Sequence, residues 1–89
     1  MKPFTVLVYE ADEDEGGYWG ECLALGCGSQ AETLDEMDRN IRESIEAVLA
    51  VRLEDGEDIA SIGKAVVGEL PAGVRRWEIS VELPQPAAA

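Results

Sequence analysis

The chain contains no histidine, only two cysteines, few aromatic residues and seven basic side chains against nineteen acidic ones. The absence of histidine removes the side chain most often used as a neutral-pH general base and as a metal ligand. Cys22 and Cys27 form a C-x4-C spacing with no second pair and no histidine, a poor basis for a zinc site. A small disulfide between them is possible in an oxidising compartment. Met1-Lys2-Pro3-Phe4 leads straight into a strand pattern with no apolar h-region, so we expect no signal peptide. The expectation is a cytoplasmic protein with two reduced, packed thiols. No apolar run approaches the ~20 residues that cross a bilayer, so no membrane association is expected.

What is abundant is acid. The 89 residues carry a net charge of −12. Five acids fall in the six positions from Glu10 to Glu15, and Glu54, Asp55, Glu57 and Asp58 make a second knot. Such a surface repels phosphate backbones, which argues against direct nucleic-acid binding, and it attracts basic partners. The length is that of one domain, expected over residues 1–84 with a disordered tail at 85–89.

The organising stretch begins at Thr33. Thr33 and Glu36 have the spacing of a capping box, in which the threonine hydroxyl accepts a first-turn N–H and the glutamate reaches back to the cap's own N–H. Behind them Leu34, Met37, Ile41, Ile45 and Val48, spaced 3, 4, 4 and 3, fall on one stripe. Asp35–Arg39 and Asp38–Arg42 place acid before base at i,i+4. The spacing predicts a helix from Leu34 to Leu53, with Gly56 at or just beyond its stop and Arg52 snorkelling out of the stripe or past its end.

Strands are predicted at Phe4–Glu10, Tyr18–Ala24 and, briefly, Cys27–Gln30, joined by an acidic Gly-Gly loop and a Leu25-Gly26 turn. Trp77, Ile79, Val81 and Leu83 alternate with polar residues and mark a last strand. A short helical turn is expected near Ile59–Ile62. Two hairpins followed by a right-handed helical crossover give a two-layer α+β fold, β-β-β-α-β, with sheet order 3-2-1-4 and the last strand parallel to the first. Leu7 and Tyr9, with some of Tyr18, Trp19 and Leu23, are expected on the face away from the helix, where a homo-oligomer or a partner would cover them.

Catalytic chemistry has little material. No nucleophile–base pair is visible, and Gly26-Cys27-Gly28 lacks the spacing of a dinucleotide loop. Glu10 and Glu21, on neighbouring strands, could share a divalent ion with Asp12 or Asp14. A solvated hairpin turn explains the same acids, and we expect neither a metal nor a cofactor. Trp19 beside Tyr18 reads either as an exposed anchor for a partner or as packing at the edge of the core.

Gly16-Gly17-Tyr18-Trp19, Gly26-Cys27, Ser29-Gln30, Thr33-Leu34-Asp35-Glu36, and Asn40 with Glu43 together resemble the HicB antitoxin family, over roughly residues 4–54. The family's usual prolines before the Gly-Cys step are absent, Cys22 and Leu25 standing there. Ala31 occupies a position where glycine is common, and no helix-turn-helix or ribbon-helix-helix module follows. The resemblance implies a partial RNase H-like fold and a non-enzymatic role, the occlusion of a small basic mRNA nuclease, the HicA toxin. On that reading the expected contact residues are Glu10, Asp12, Glu13, Asp14, Glu15, Tyr18 and Trp19. Two rivals stand beside it: a solitary oligomeric scaffold or regulator with no toxin partner, and a degenerate metal-dependent RNase H-like nuclease.

Overall fold

The helix α1, Leu34–Glu54, begins as its cap predicts. Glu36 N–H donates to Thr33 Oγ1 at 3.1 Å, but the Glu36 carboxylate accepts from Glu32 N–H at 3.2 Å, one residue beyond the cap's own amide. The helix stops at Gly56, whose φ of 82° suits glycine. Gly56 N–H bonds Leu53 O and Glu57 N–H bonds Arg52 O, the paired bonds of a Schellman motif. Asp38 and Arg42 pair at 3.2 Å.

The computed structural model, which describes residues 1–11, 14 and 16–85, adds β1 (Lys2–Glu10), β2 (Tyr18–Cys22), β3 (Cys27–Ala31) and β4 (Arg75–Val81). A short 3-10 turn occupies Ile59–Ser61, where a helical turn was expected. The sheet order is β3-β2-β1-β4. Strand β2 stops two residues before the predicted Ala24, because Gly26 N–H bonds Cys22 O at 2.9 Å and closes the turn across Leu23–Gly26. The last strand starts and ends two residues earlier than the Trp77–Leu83 pattern, although Leu83 still packs on the core. The expected tail falls mostly on residues 86–89, outside the described residues.

One expectation is corrected: β4 runs antiparallel to β1, with Lys2 opposite Val81 and Val8 opposite Arg75. The handedness rule assumes that the helix hands the chain directly to a parallel strand. Here α1 ends at the foot of the sheet, where Lys2 Nζ donates to Ala60 O at 3.1 Å. The connection over residues 55–74 is long enough at ~3.3 Å per residue to climb back to the head. A turn at Pro71–Val74, with Gly73 at φ 87° and Val74 N–H on Pro71 O, then sends β4 downward.

Strand pairing sorts side chains by face. Phe4, Val6 and Val8 of β1, Cys22 of β2, and Ile79 and Val81 of β4 meet the buried helix stripe of Met37, Ile41, Ile45 and Leu49. The stripe turns slightly from the predicted line, so Leu49 is fully buried and Val48 only partly. Each fully buried aliphatic contributes about 1.5–3 kcal/mol. Gly20 lies under the helix, and a Cβ there would come within 2.7 Å of Met37 Sδ. Two further bonds pin α1 over the sheet margin: Asn40 Nδ2 donates to Gln30 O at 3.0 Å and Ser44 Oγ to Gly28 O at 3.2 Å. Both occupy carbonyls of the edge strand β3 and so blunt that edge. Arg52 leaves the stripe as expected, its guanidinium donating to Leu25 O at 3.3 Å.

On the other face Thr5 and Leu7 are buried within the chain itself. Ile62 still packs on the helix-side core, but Lys64 pairs with Glu78, whose register partner is Thr5, so the 55–74 connection reaches this side beside β4. The Lys64 ammonium holds the Glu78 carboxyl below the usual carboxylate range.

Three outcomes follow. Ile41→Ala should cost about 2–5 kcal/mol in urea unfolding. Gly20→Ala should destabilise by about 1–3 kcal/mol, and by less in a Met37→Ala background, since the two changes share one space. Burial, reinforced by Cys27 alongside and opposed by the Leu25 amide, pushes the Cys22 thiol from 9.0 up to about 11. Its proton is held more tightly folded than unfolded, so that part of the stability is intact below pH 9.0 and falls as pH rises towards about 11. Melting curves across that window should be flatter for Cys22→Ala than for the wild type.

Candidate partner-binding surface

The head of the sheet is shaped by the β1–β2 connection. Ala11 N–H bonds Gly17 O at 3.0 Å, and Gly16 and Gly17 take φ of 68° and 83°. A side chain at Gly17 would also collide with Ala31 O, 2.8 Å from its Cβ position. The two glycines therefore let the chain enter β2 with Gly17 close against the end of β3. Of the expected contact residues in this loop, Glu10 and Asp14 are exposed, while Asp12, Glu13 and Glu15 lie outside the described residues.

Tyr18 and Trp19 are neighbours in sequence and stand on opposite faces of β2. Tyr18 is the register partner of Glu10, on the helix side. The Arg75 guanidinium lies 5.7 Å above its ring and 3.4 Å from the Glu10 carboxylate, so one cation serves both. Trp19 is the partner of Tyr9 on the other face, their rings 5.1 Å apart and tilted by 39°. Trp19 is 42% exposed, whereas Leu7 two residues below Tyr9 is buried. The exposed apolar part of this face is thus an aromatic plate at its upper end.

Between the acidic loop, the top of β3 and the first turns of α1 lies an open hollow of about 930 Å³. Trp19, Gln30, Glu32, Glu36 and Asn40 line it, and among the described residues no cationic side chain does. The hollow accordingly favours a basic group over an acidic one. In the sequence Glu36 marks the helix start and Asn40 carries part of the family resemblance, while Glu32 gives no signal. Tyr9 could have been paired with Trp19 by counting back from a hairpin closed at Ala11–Gly17. Arg75 stands out in sequence only as half of the one basic pair, Arg75-Arg76, bordering the last strand; its role at the site depends on how far β4 rises.

The suggested ion site at Glu10 and Glu21 does not assemble. Glu10 pairs with Tyr18, while Glu21 pairs with Leu7, three residues lower on β1. The two carboxylates therefore point to opposite faces from positions about 10 Å apart along the strand. Among the described residues, no three His, Cys, Asp or Glu side chains cluster as a metal site would require. The second acidic knot, at the end of α1, lies at the foot of the sheet, with Asp58 accepting from Ser61 Oγ at 2.6 Å. No helix among the described residues is long and apolar enough to cross a membrane.

No family model matches the chain. A UPF0150 protein of Synechocystis is 48% identical over 66 residues, spanning 72% of this chain and 93% of the relative. A UPF0150 protein of Archaeoglobus fulgidus is 45% identical over 56 residues, 60% of this chain and 80% of that protein. Among solved structures, the N-terminal domain of the Burkholderia pseudomallei antitoxin HicB matches with a TM-score of 0.75 and 28% identity, over 92% of this chain and all of that domain. The α+β layer with strand order 3-2-1-4 is shared, and the chain belongs to the UPF0150 family and has a HicB-like fold.

Proposed function

We propose that this chain is a cytoplasmic, non-enzymatic HicB-like antitoxin or antitoxin-derived interaction module that occludes a small basic mRNA nuclease of the HicA type. The observation that carries the reading is the head of the sheet, where an acidic loop, an acid-lined hollow and the exposed Trp19 stand together on a HicB-like fold. Glu10, Asp12, Glu13, Asp14 and Glu15 steer and orient a basic surface, and Trp19 supplies apolar contact. Tyr18 acts from the helix side, through the cation it shares with Glu10. Binding there would cover the cationic patch with which such a nuclease holds RNA.

The test is whether the reading frame beside this chain encodes a small basic protein, and whether the chain binds it. Trp19→Ala should leave the fold intact and weaken the complex by about 2 kcal/mol, roughly 30-fold, chiefly through faster dissociation. Asp12→Asn combined with Asp14→Asn should slow association and reduce its salt dependence. Nuclease activity should fall as the wild-type chain is added. A neighbour that is not basic, or a HicA-type nuclease left fully active by excess chain, would refute the reading. Light scattering on the same samples measures whether the chain also pairs with itself through the Trp19 face.

A further inference from the structure

Cys22 and Cys27 take no part in the proposed partner surface, yet pairing of β2 and β3 sets them directly opposite one another. Both are free thiols on the helix side of the sheet, Cys22 fully buried and Cys27 half-buried. Facing residues of an antiparallel pair have Cα atoms about 4.5–5.5 Å apart, inside the ~4.4–6.8 Å range of disulfides. Directly opposed residues of a strand pair project their side chains to the same face, so both thiols stand side by side under the helix. The turn between them is closed by Gly26 N–H on Cys22 O at 2.9 Å, which holds the two strand ends in register.

We propose that Cys22 and Cys27 form a dithiol that a low-molecular-weight disulfide, of which oxidised glutathione is the probe, converts reversibly into an intrachain disulfide linking β2 to β3. Cys27, the solvent-reachable thiol, attacks one sulfur of the oxidant as its thiolate and releases one equivalent of reduced thiol. Cys22 then loses its proton and attacks the Cys27 sulfur of the mixed disulfide, expelling the second equivalent. Two thiol hydrogens leave the chain and two reduced thiols are formed. The bridge closes only the short turn Leu23–Gly26, so the gain in stability is small and the helix contact is undisturbed. It clamps β3 to β2 at the end of the hairpin remote from Trp19.

The reduced full chain is treated with excess oxidised glutathione and followed by intact mass, thiol titration and non-reducing electrophoresis. The wild type should lose the mass of two hydrogens and both free thiols, stay unlinked to other chains, and recover both thiols with dithiothreitol. Cys22→Ser should end as a stable glutathione adduct at Cys27, because no second thiol resolves it. Cys27→Ser should stay unmodified while folded and react only in urea. A wild-type chain that accumulates the glutathione adduct, forms intermolecular dimers or keeps both thiols overturns the proposal. Because the readout is chemical, it stands or falls apart from any antitoxin activity.

Discussion

The structure depends on the burial of one helix stripe. Met37, Ile41, Ile45 and Leu49 are all fully excluded from water, and they reach that state only because Phe4, Val6, Val8, Ile79 and Val81 present one apolar face of the sheet. Neither layer is stable alone, since an isolated helix is marginal in water and a bare sheet face leaves its side chains hydrated. The fit is close. Gly20 has no side chain where Met37 rests, and Asn40 and Ser44 fasten the helix to outward carbonyls of the edge strand. A short chain with a small core gains specificity from such polar fixings as well as from apolar area.

The same constraint decides where the charge goes. The middle of the sheet must be apolar on the helix side, and Thr5 and Leu7 are buried on the other side too. Acids line the exposed side of α1, as at Glu43 and Glu46, and form their two densest clusters at the β1–β2 loop at the head and the helix stop at the foot. Of the few basic residues, Arg42, Lys64 and Arg75 are each paired with an acid of their own chain. The acidic cluster at the head, where Arg75 pairs with Glu10, sits next to exposed aromatic surface. A fold of this kind does not itself specify a function. The proposed function rests on this pairing of charge with an aromatic plate.

Much of the fold is legible in the sequence. The Thr33–Glu36 cap, the 3-4-4-3 spacing of the stripe and the alternation of Trp77, Ile79 and Val81 are local patterns, each fixed by hydrogen bonds or periodicity within a few residues. The site was legible only in part. Trp19 and the Gly16-Gly17 loop stand out in sequence, but Arg75 only as half of a basic pair, and no pattern announces that a cation from the last strand reaches Glu10 and Tyr18.

The sequence by itself determined the elements, their order, the oily face of the helix and the excess of acid, because propensity, capping and charge act over short distances along the chain. Only the tertiary structure decided the direction of β4, the opposite facing of Tyr18 and Trp19, the separation of Glu10 from Glu21 and the meeting of Cys22 with Cys27. Each of these turns on register and on the path of the 55–74 connection. A shift of one residue, or a connection that climbs before it pairs, sends the same side chains to different faces.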